Sequence, residues 1–464
     1  METVKPLGLK PLPPPLSFRT LLGPSFILLG LGLGSGELIL WPYLVAHWGL
    51  GVIWGAVLGI TFQFFINMEI ERYALVTGES VFVGLARKLG RIVPVWFFFS
   101  TLIPWVWPGI IAVSGKIFGS ILGITETAYL SAVLLLIIGT ILTLGPVLYK
   151  TVEKLQMVLI ALGVPFVLGL TLFLAKPADW QALFAGVLGQ GNGYTFLPAG
   201  MALAGFLAAF AYAGAGGNLN LAQAFYIKEK GYGMGKYAGR ITSLLTGKTE
   251  EITLEGNTFT VDDDSRQIFR RWWRLINLEH FCVFVVTGLA TILLLALLSY
   301  VTVYGQQLPA GVDFVIREGL IIGQRTVPVI GTVFLLAVAV MLFATQLTIL
   351  DATSRIMAEN IAILFHKHFP LKNLSGYFYA VLWTQILAGA AILFFKLAEP
   401  LTLLTLGAIL NAGSMTIYIP LVVWLNITGL HNHLRPSWWR LAAIAAAFLF
   451  FAGFTVFVIG DKLL

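Results

Sequence analysis

The stretch GLGLGSGELILWP (residues 30–42) lies in the first long apolar run of the chain. It places four glycines and one ionisable residue, Glu37, where a plain membrane anchor carries leucines. Each interior glycine costs a helix roughly 0.5–1 kcal/mol relative to alanine. A charged side chain at the centre of a spanning helix costs about 2.5–3.5 kcal/mol on insertion scales. A segment that accepts both costs together is expected to do more than anchor.

The solvent for most of this chain is lipid. Of its 464 residues, 58% are hydrophobic and 11% charged, with mean hydropathy +0.88, whereas soluble domains are nearer one quarter charged. Apolar runs of about 18 residues or more recur throughout, and the ~10-residue alternation of membrane barrels does not. The fold class expected is an all-α polytopic membrane protein. Eleven spans are read at 22–46, 50–72, 94–122, 128–149, 154–175, 198–226, 276–304, 327–350, 376–397, 400–427 and 438–459. Residues 1–21 read as a cytosolic tail with an extended PLPPPL segment. Residues 22–430 read as the core, and 431–464 as the eleventh span with a short outer end. The single cysteine, Cys282, excludes an intrachain disulfide.

Sorting the basic residues by side fixes the expected orientation. With the N-terminus inside, 23 of the 29 lysines and arginines fall on the inner side and 5 on the outer, and Lys116 lies within a span. Such a bias places the N-terminus in the cytosol and the C-terminus outside, as in a multi-pass plasma-membrane protein. It also accounts for the net charge of +7 without nucleic acid. The one sizeable cytosolic insert is 228–274. Within it EITLEGNTFTV (251–261) alternates around Gly256-Asn257, a hairpin signal. The following FRRWWRLINLEH (269–280) suits the headgroup level.

A second glycine-rich interruption, AYAGAGGNLN (211–220), falls in the sixth span. The two interruptions are five spans apart and so cross the membrane in opposite senses, as a five-plus-five inverted repeat requires. Unwound backbone at that depth needs a polar cavity or a solute to satisfy it. The alternative is that the glycines only let helices pack closely.

ERYALVTGESVFVGLARKLG (71–90) and YKTVEKLQ (149–156) resemble segments of the Nramp family of divalent-metal transporters, within the amino acid–polyamine–organocation superfamily. That resemblance implies the leucine-transporter type of fold, with the broken first and sixth spans forming a substrate site and with no enzymatic activity or cofactor. The site motifs differ from the family's. Where Nramp proteins carry aspartate-proline-glycine-asparagine, this chain has Gly34, Ser35, Gly36 and Glu37. Where they carry methionine-proline-histidine-asparagine, it has Ala215, Gly216, Gly217 and Asn218. The third span, PWVWPGIIAVSGK (104–116), lacks the family's acidic residues. Without the thioether, classical manganese or iron selectivity is not implied. Gly-Ser-Gly followed by an apolar run and proline is also similar to the first-span motif of amino acid transporters in the superfamily. There, free N–H groups meet a substrate carboxylate.

Three functional readings follow. The first is a secondary transporter of a divalent cation, with H⁺ as a coupling ion. Its candidate ion-binding residues are Gly34, Ser35, Gly36, Glu37, Gly214, Ala215, Gly217 and Asn218. Glu37 and Asn218 are its metal ligands and Glu37 its proton carrier. The second is an H⁺- or Na⁺-coupled transporter of a small amino-acid-like solute, and the third a membrane sensor acting through 228–274. The partners implied are a small-molecule or metal-ion substrate and the lipid bilayer. Elsewhere, Gln346 and Asp351 read as an ion site or inner gate, with Asp351 read in preference as an N-cap, Lys116 as a snorkelling lysine, and Asn411 as a core polar residue. The pairs His366/His368 and His431/His433 have the wrong spacing for one helix face. No phosphate-loop, nucleophile-elbow or zinc-protease signature is present.

Overall fold

The structure is a computed structural model that describes residues 6–17, 21, 23–144, 148–239, 253–306, 311–365, 374–395 and 399–463. His366 and His368 lie outside the described residues. Ten helices among the described residues are long and apolar enough to cross a membrane. The sixth expected span is the one missing from that set, because it is broken into pieces. Together they make a multi-pass membrane protein of about eleven spans.

The first span runs as one rod, Pro24–Trp48. It comprises α1 (Pro24–Gly32), a π-helical segment (Leu33–Leu40) and α2 (Trp41–Trp48). Next come α3 (Trp54–Thr77), the short α4 (Val81–Leu89), and a third span bent at residues 106–108 between α5 (Ile92–Trp105) and α6 (Gly109–Leu122). Then follow α7 (Thr127–Leu144), α8 (Leu148–Leu174) and the short α9 (Pro177–Val187). The sixth span consists of α10 (Leu203–Ala211), an irregular stretch, a 3₁₀ turn (Gly217–Ala222) and α11 (Gln223–Lys230). The second half contains α12 (Asp263–His280), a π segment (Phe281–Thr287), α13 (Gly288–Thr302) and α14 (Asp313–Arg325). It ends with α15 (Pro328–Leu364), α16 (Leu374–Phe394), α17 (Pro400–Gly429) and α18 (Trp438–Leu463). The apolar window of the first span is 94% buried, against 22% for α8 and for Trp438–Val458. The first span therefore forms the centre of the bundle, and α8 and α18 form its lipid-facing flank.

At the end of the bundle carrying the insert, two expectations change. Residues 253–261 do not form a hairpin. Instead Asn257–Thr258 pairs in parallel with Gly8–Leu9 of the tail, and the Gly256 N–H donates to Glu79 at 3.1 Å. The Pro-rich segment is held in turn, its Pro13 carbonyl accepting from the Trp272 indole at 2.8 Å and its Pro11 carbonyl from Tyr237 at 2.9 Å. The aromatic and basic segment 269–280 runs straight into the seventh span, since α12, the π segment and α13 form one helix, Asp263–Thr302. Asp351 caps no helix. It sits inside α15 and accepts from Arg355, one turn on, at 2.9 Å.

Arg355 also pairs with Glu229 of α11, so one fully buried guanidinium joins α11 and α15 through two carboxylates. Arg355→Gln leaves both acids without their cation. Loss of about 3–5 kcal/mol of stability is expected, measurable as a lowered midpoint of denaturant unfolding in detergent.

At the opposite end Lys116 does more than snorkel, pairing with Asp313 of α14 at 2.9 Å. Glu318 of α14 is buried, with only a long contact to Thr302 at 3.5 Å among the described residues, and burial pushes its carboxyl up to about 8. The native state therefore holds a proton that the unfolded chain releases near pH 4.5. This contribution to stability is complete below that pH and is lost as pH rises to about 8. Glu318→Gln should flatten the fall in melting temperature between about pH 5 and pH 8, read by thermal scans at fixed salt.

Candidate functional site

The two glycine-rich interruptions meet at the centre of the bundle, but they are built differently. In the first span the helix does not unwind. Residues 33–40 stay helical and widen to a π turn, with the Trp41 N–H reaching the Gly36 carbonyl. The N–H groups of Ser35 and Gly36 are thus not a free half-helix end, which corrects the expectation drawn from amino acid transporters. Ser35 lies within this turn; its side chain is outside the described residues. The glycines act through their missing side chains instead. A Cβ on Gly32 would run into the Gly214 backbone, one on Gly34 into Thr345, and one on Gly36 into the Tyr212 carbonyl oxygen.

The sixth span is truly broken. Gly214, Gly216 and Gly217 have φ of 137°, 75° and 54°, values that side-chain-bearing residues rarely adopt. Gln63 of α3 stitches across the gap. Its amide donates to the Ala211 carbonyl at 3.1 Å, and its oxygen accepts the Gly216 N–H at 3.1 Å. A side chain thereby replaces the lost helix bonds. Ala215 is fully buried within this gap.

Polar groups gather around the break from several helices. Asn218 donates to Ser100 at 2.8 Å and Thr101 at 2.9 Å on α5. Asn220 donates to Tyr418 at 2.9 Å, and Asn411 to Tyr212 at 3.0 Å. All three asparagines are fully buried, and the oxygen of each has no partner among the described residues. Tyr212 stacks on Trp105, ring centroids 5.5 Å apart. Together with Gln346 and Gly407 they line a cavity of about 10 Å³, room for at most one water. Thr345 donates to the Gly30 carbonyl at 2.9 Å, tying α15 to the first span.

Glu37 lies apart from this group. Its side chain is fully buried, and neither carboxylate oxygen has a partner among the described residues. One oxygen lies 3.5 Å from where a Cβ on Gly288 would stand, a point also crowded by Ile60 and Leu29. Glu37 thus faces α13 while Asn218 faces α5, and no hydrogen bond joins the expected pair of metal ligands. No group of three His, Cys, Asp or Glu side chains arranged for a metal occurs among the described residues. His431 and His433 stand at an exposed turn, where the His431 ring accepts the His433 N–H at 3.4 Å.

Sequence reasoning passed over Gln63, Asn67 and Glu71. Their spacing of four residues along an apolar span is a polar stripe on one helix face, and that stripe was the signal. Tyr212, Trp105 and Thr345 gave none, since aromatic and hydroxyl residues are common in spanning helices.

No protein-family model and no curated protein sequence matches the chain. Solved structures share its fold. A mutant of the Eremococcus coleocola manganese transporter superposes with TM-score 0.70 at 12% identity, covering 98% of this chain and 90% of that one. The nucleobase-cation-symport-1 family transporter Mhp1, closed with bromovinylhydantoin bound, gives TM-score 0.53 at 13% identity, covering 98% and 96%. The architecture is therefore the leucine-transporter type, a five-plus-five inverted repeat with special first and sixth spans, followed by an eleventh.

Proposed function

We propose that the chain is a secondary active transporter, related to Nramp, that moves a hard divalent cation by alternating access with Glu37 carrying the coupling proton. The observation that supports this most is the Glu37 carboxyl group. It is buried beside the contact between the two interrupted spans, with both oxygens unpartnered. A permanent charge there is not sustained without a compensating ion, whereas a group that gains and loses a proton between two conformations is. The cargo would meet the neutral oxygens of Asn218, Asn220 and Asn411 around the second break. Oxygen donors without thioether or imidazole suit harder cations. Manganese transport by the Eremococcus coleocola protein of the same fold agrees with a metal cargo. The charge bias puts the insert end, and with it the N-terminus, in the cytosol.

A small amino-acid-like solute is the second reading, favoured by the Trp105–Tyr212 stack and the uncharged lining of the break. Uptake into proteoliposomes separates the two, using a panel of divalent cations and amino acids with and without a pH gradient. Divalent uptake that follows the gradient supports the cation reading, and amino acid uptake indifferent to chelator overturns it. Transport of nothing, with a protein partner bound to 228–274, favours a sensor.

A further inference from the structure

Apart from Glu37, at the insert end, three more ionisable side chains are buried together. Glu71 (α3), Glu279 and His280 (α12) are each at most 1% exposed. Ser25, in the first turn of α1, joins them, its Oγ lying 2.5 Å from Glu279 Oε2 and 2.7 Å from His280 Nδ1. Glu71 Oε1 lies 3.4 Å from the same Nδ1 and accepts from Gln223 of α11 at 2.7 Å. On the far side of the ring, the Asn67 amide faces Nε2 at 3.4 Å.

These distances set the direction of the hydrogens. An amide donating to Nε2 leaves the imidazole hydrogen on Nδ1, which donates to Ser25 Oγ, and the Ser25 hydroxyl donates to Glu279. The ring is thus held neutral, stacked between Phe64 and Phe284 at 5.7 and 4.7 Å. The cations around the cluster are engaged elsewhere. Arg440 of α18 and Arg72 of α3 both bind Glu69, at 3.0 and 2.6 Å, and Lys230 of α11 binds Glu153 of α8 at 2.7 Å. The nearby phenols donate outward, Tyr232 to the Leu21 carbonyl and Tyr149 to Glu153. Glu71 Oε2 and Glu279 Oε1 have no partner among the described residues. Two buried carboxylates in one pocket, with no cation bonded to either among the described residues, do not both stay charged.

We propose that Glu71, Glu279 and His280, bridged by Ser25, form a proton-binding site separate from Glu37, whose occupancy keeps the insert end of α1 docked against α3 and α12. One bound proton serves the two carboxyl groups, held on one of them while the other stays ionised, and the Ser25 hydroxyl and His280 Nδ1–H orient the pair. When it leaves for solvent, two like charges remain in the pocket and repel. The element that yields is the insert end of α1, which meets the cluster through the Ser25 hydroxyl and the Gly23 and Ser25 backbone, whereas Arg440 ties α3 to α12 through Glu69 and Asn277. The site is thus a proton-controlled latch on the first span. It stands whatever the cargo.

The test uses the full chain in lipid nanodiscs and the proton itself as ligand. Infrared difference spectra are recorded across pH steps between about pH 5 and pH 9. A protonated-carboxyl band is expected to fade on alkalinisation in the wild type, and Glu71→Gln and Glu279→Gln should each lose a component of it. Ser25→Ala, which removes no titrating group, should move the midpoint by about one pH unit. Hydrogen exchange of residues 23–28, corrected for its intrinsic pH dependence, should quicken about tenfold across the same midpoint and stay flat in Glu279→Gln. Spectra of both glutamine variants identical to wild type would overturn the site, as would an unmoved midpoint in Ser25→Ala. Flat wild-type exchange would overturn the latch. If either glutamine variant does not fold, the Ser25→Ala spectra and the wild-type exchange still decide.

Discussion

Glu37→Gln is expected to leave the protein folded and to reduce gradient-driven uptake by roughly 100-fold or more, the scale of losing a proton-transfer group. The amide keeps the shape of the carboxyl group, so the contacts of Gly288, Ile60 and Leu29 persist. It cannot alternate between charged and neutral forms, so the step that couples cargo to the gradient disappears. Stability should hold or rise slightly, because a neutral amide is less costly than an unpaired carboxylate in the same pocket. Counterflow exchange of cargo without a gradient is the complementary measurement. A variant that still exchanges but no longer accumulates assigns Glu37 to coupling, and one that does neither assigns it to cargo binding. Undiminished accumulation would leave Glu37 without a role in transport.

Gly36→Ala is expected to be nearly as severe for the opposite reason, since it changes no charge and adds one methyl group. That methyl would occupy the place of the Tyr212 carbonyl oxygen, and backbone cannot step aside as a flexible side chain does. Overpacking of this kind costs about 1–3 kcal/mol and prevents the two interrupted spans from closing on each other. A lowered unfolding midpoint and loss of uptake are expected together. Gly413→Ala on α17 is the matched control, since nothing lies within 4 Å of its Cβ position. Its stability should hold or rise by up to about 1 kcal/mol, the gain of alanine over glycine inside a helix.

The contrast between the two interruptions shows what was legible before the structure. Both were found as glycine runs at matching places in a repeat, and both are special places in the fold. Glycine has two uses, however, and composition does not separate them. Gly32, Gly34 and Gly36 keep helical backbone and allow close approach, whereas Gly214, Gly216 and Gly217 supply left-handed φ and end a helix. The π turn added a further change. It shifts the angular position of every residue after it, so the face presented by Glu37 cannot be read from a 3.6-residue wheel. Glu37 and Asn218, paired because each lies in one of the two interruptions, face different helices. The His280 cluster was hidden for another reason. Ser25 and His280 are 255 residues apart, and nothing local in either segment announces a partner that distant. Asp351 and Arg355, only four apart, were legible in principle as an i, i+4 pair on a helix.

The tail that pairs with Asn257–Thr258 and receives the Trp272 bond also bears on how the molecule is made. Pro13 and Trp272 are 259 residues apart. At ordinary synthesis rates the tail waits roughly 10–50 s for its partner to emerge. During that interval the first six spans are inserted with the insert end still open. The parallel pairing and the Pro13 bond then form only when the second half of the chain arrives. Maturation of this protein thus has a late seam, at which its earliest-made segment is fastened to its middle.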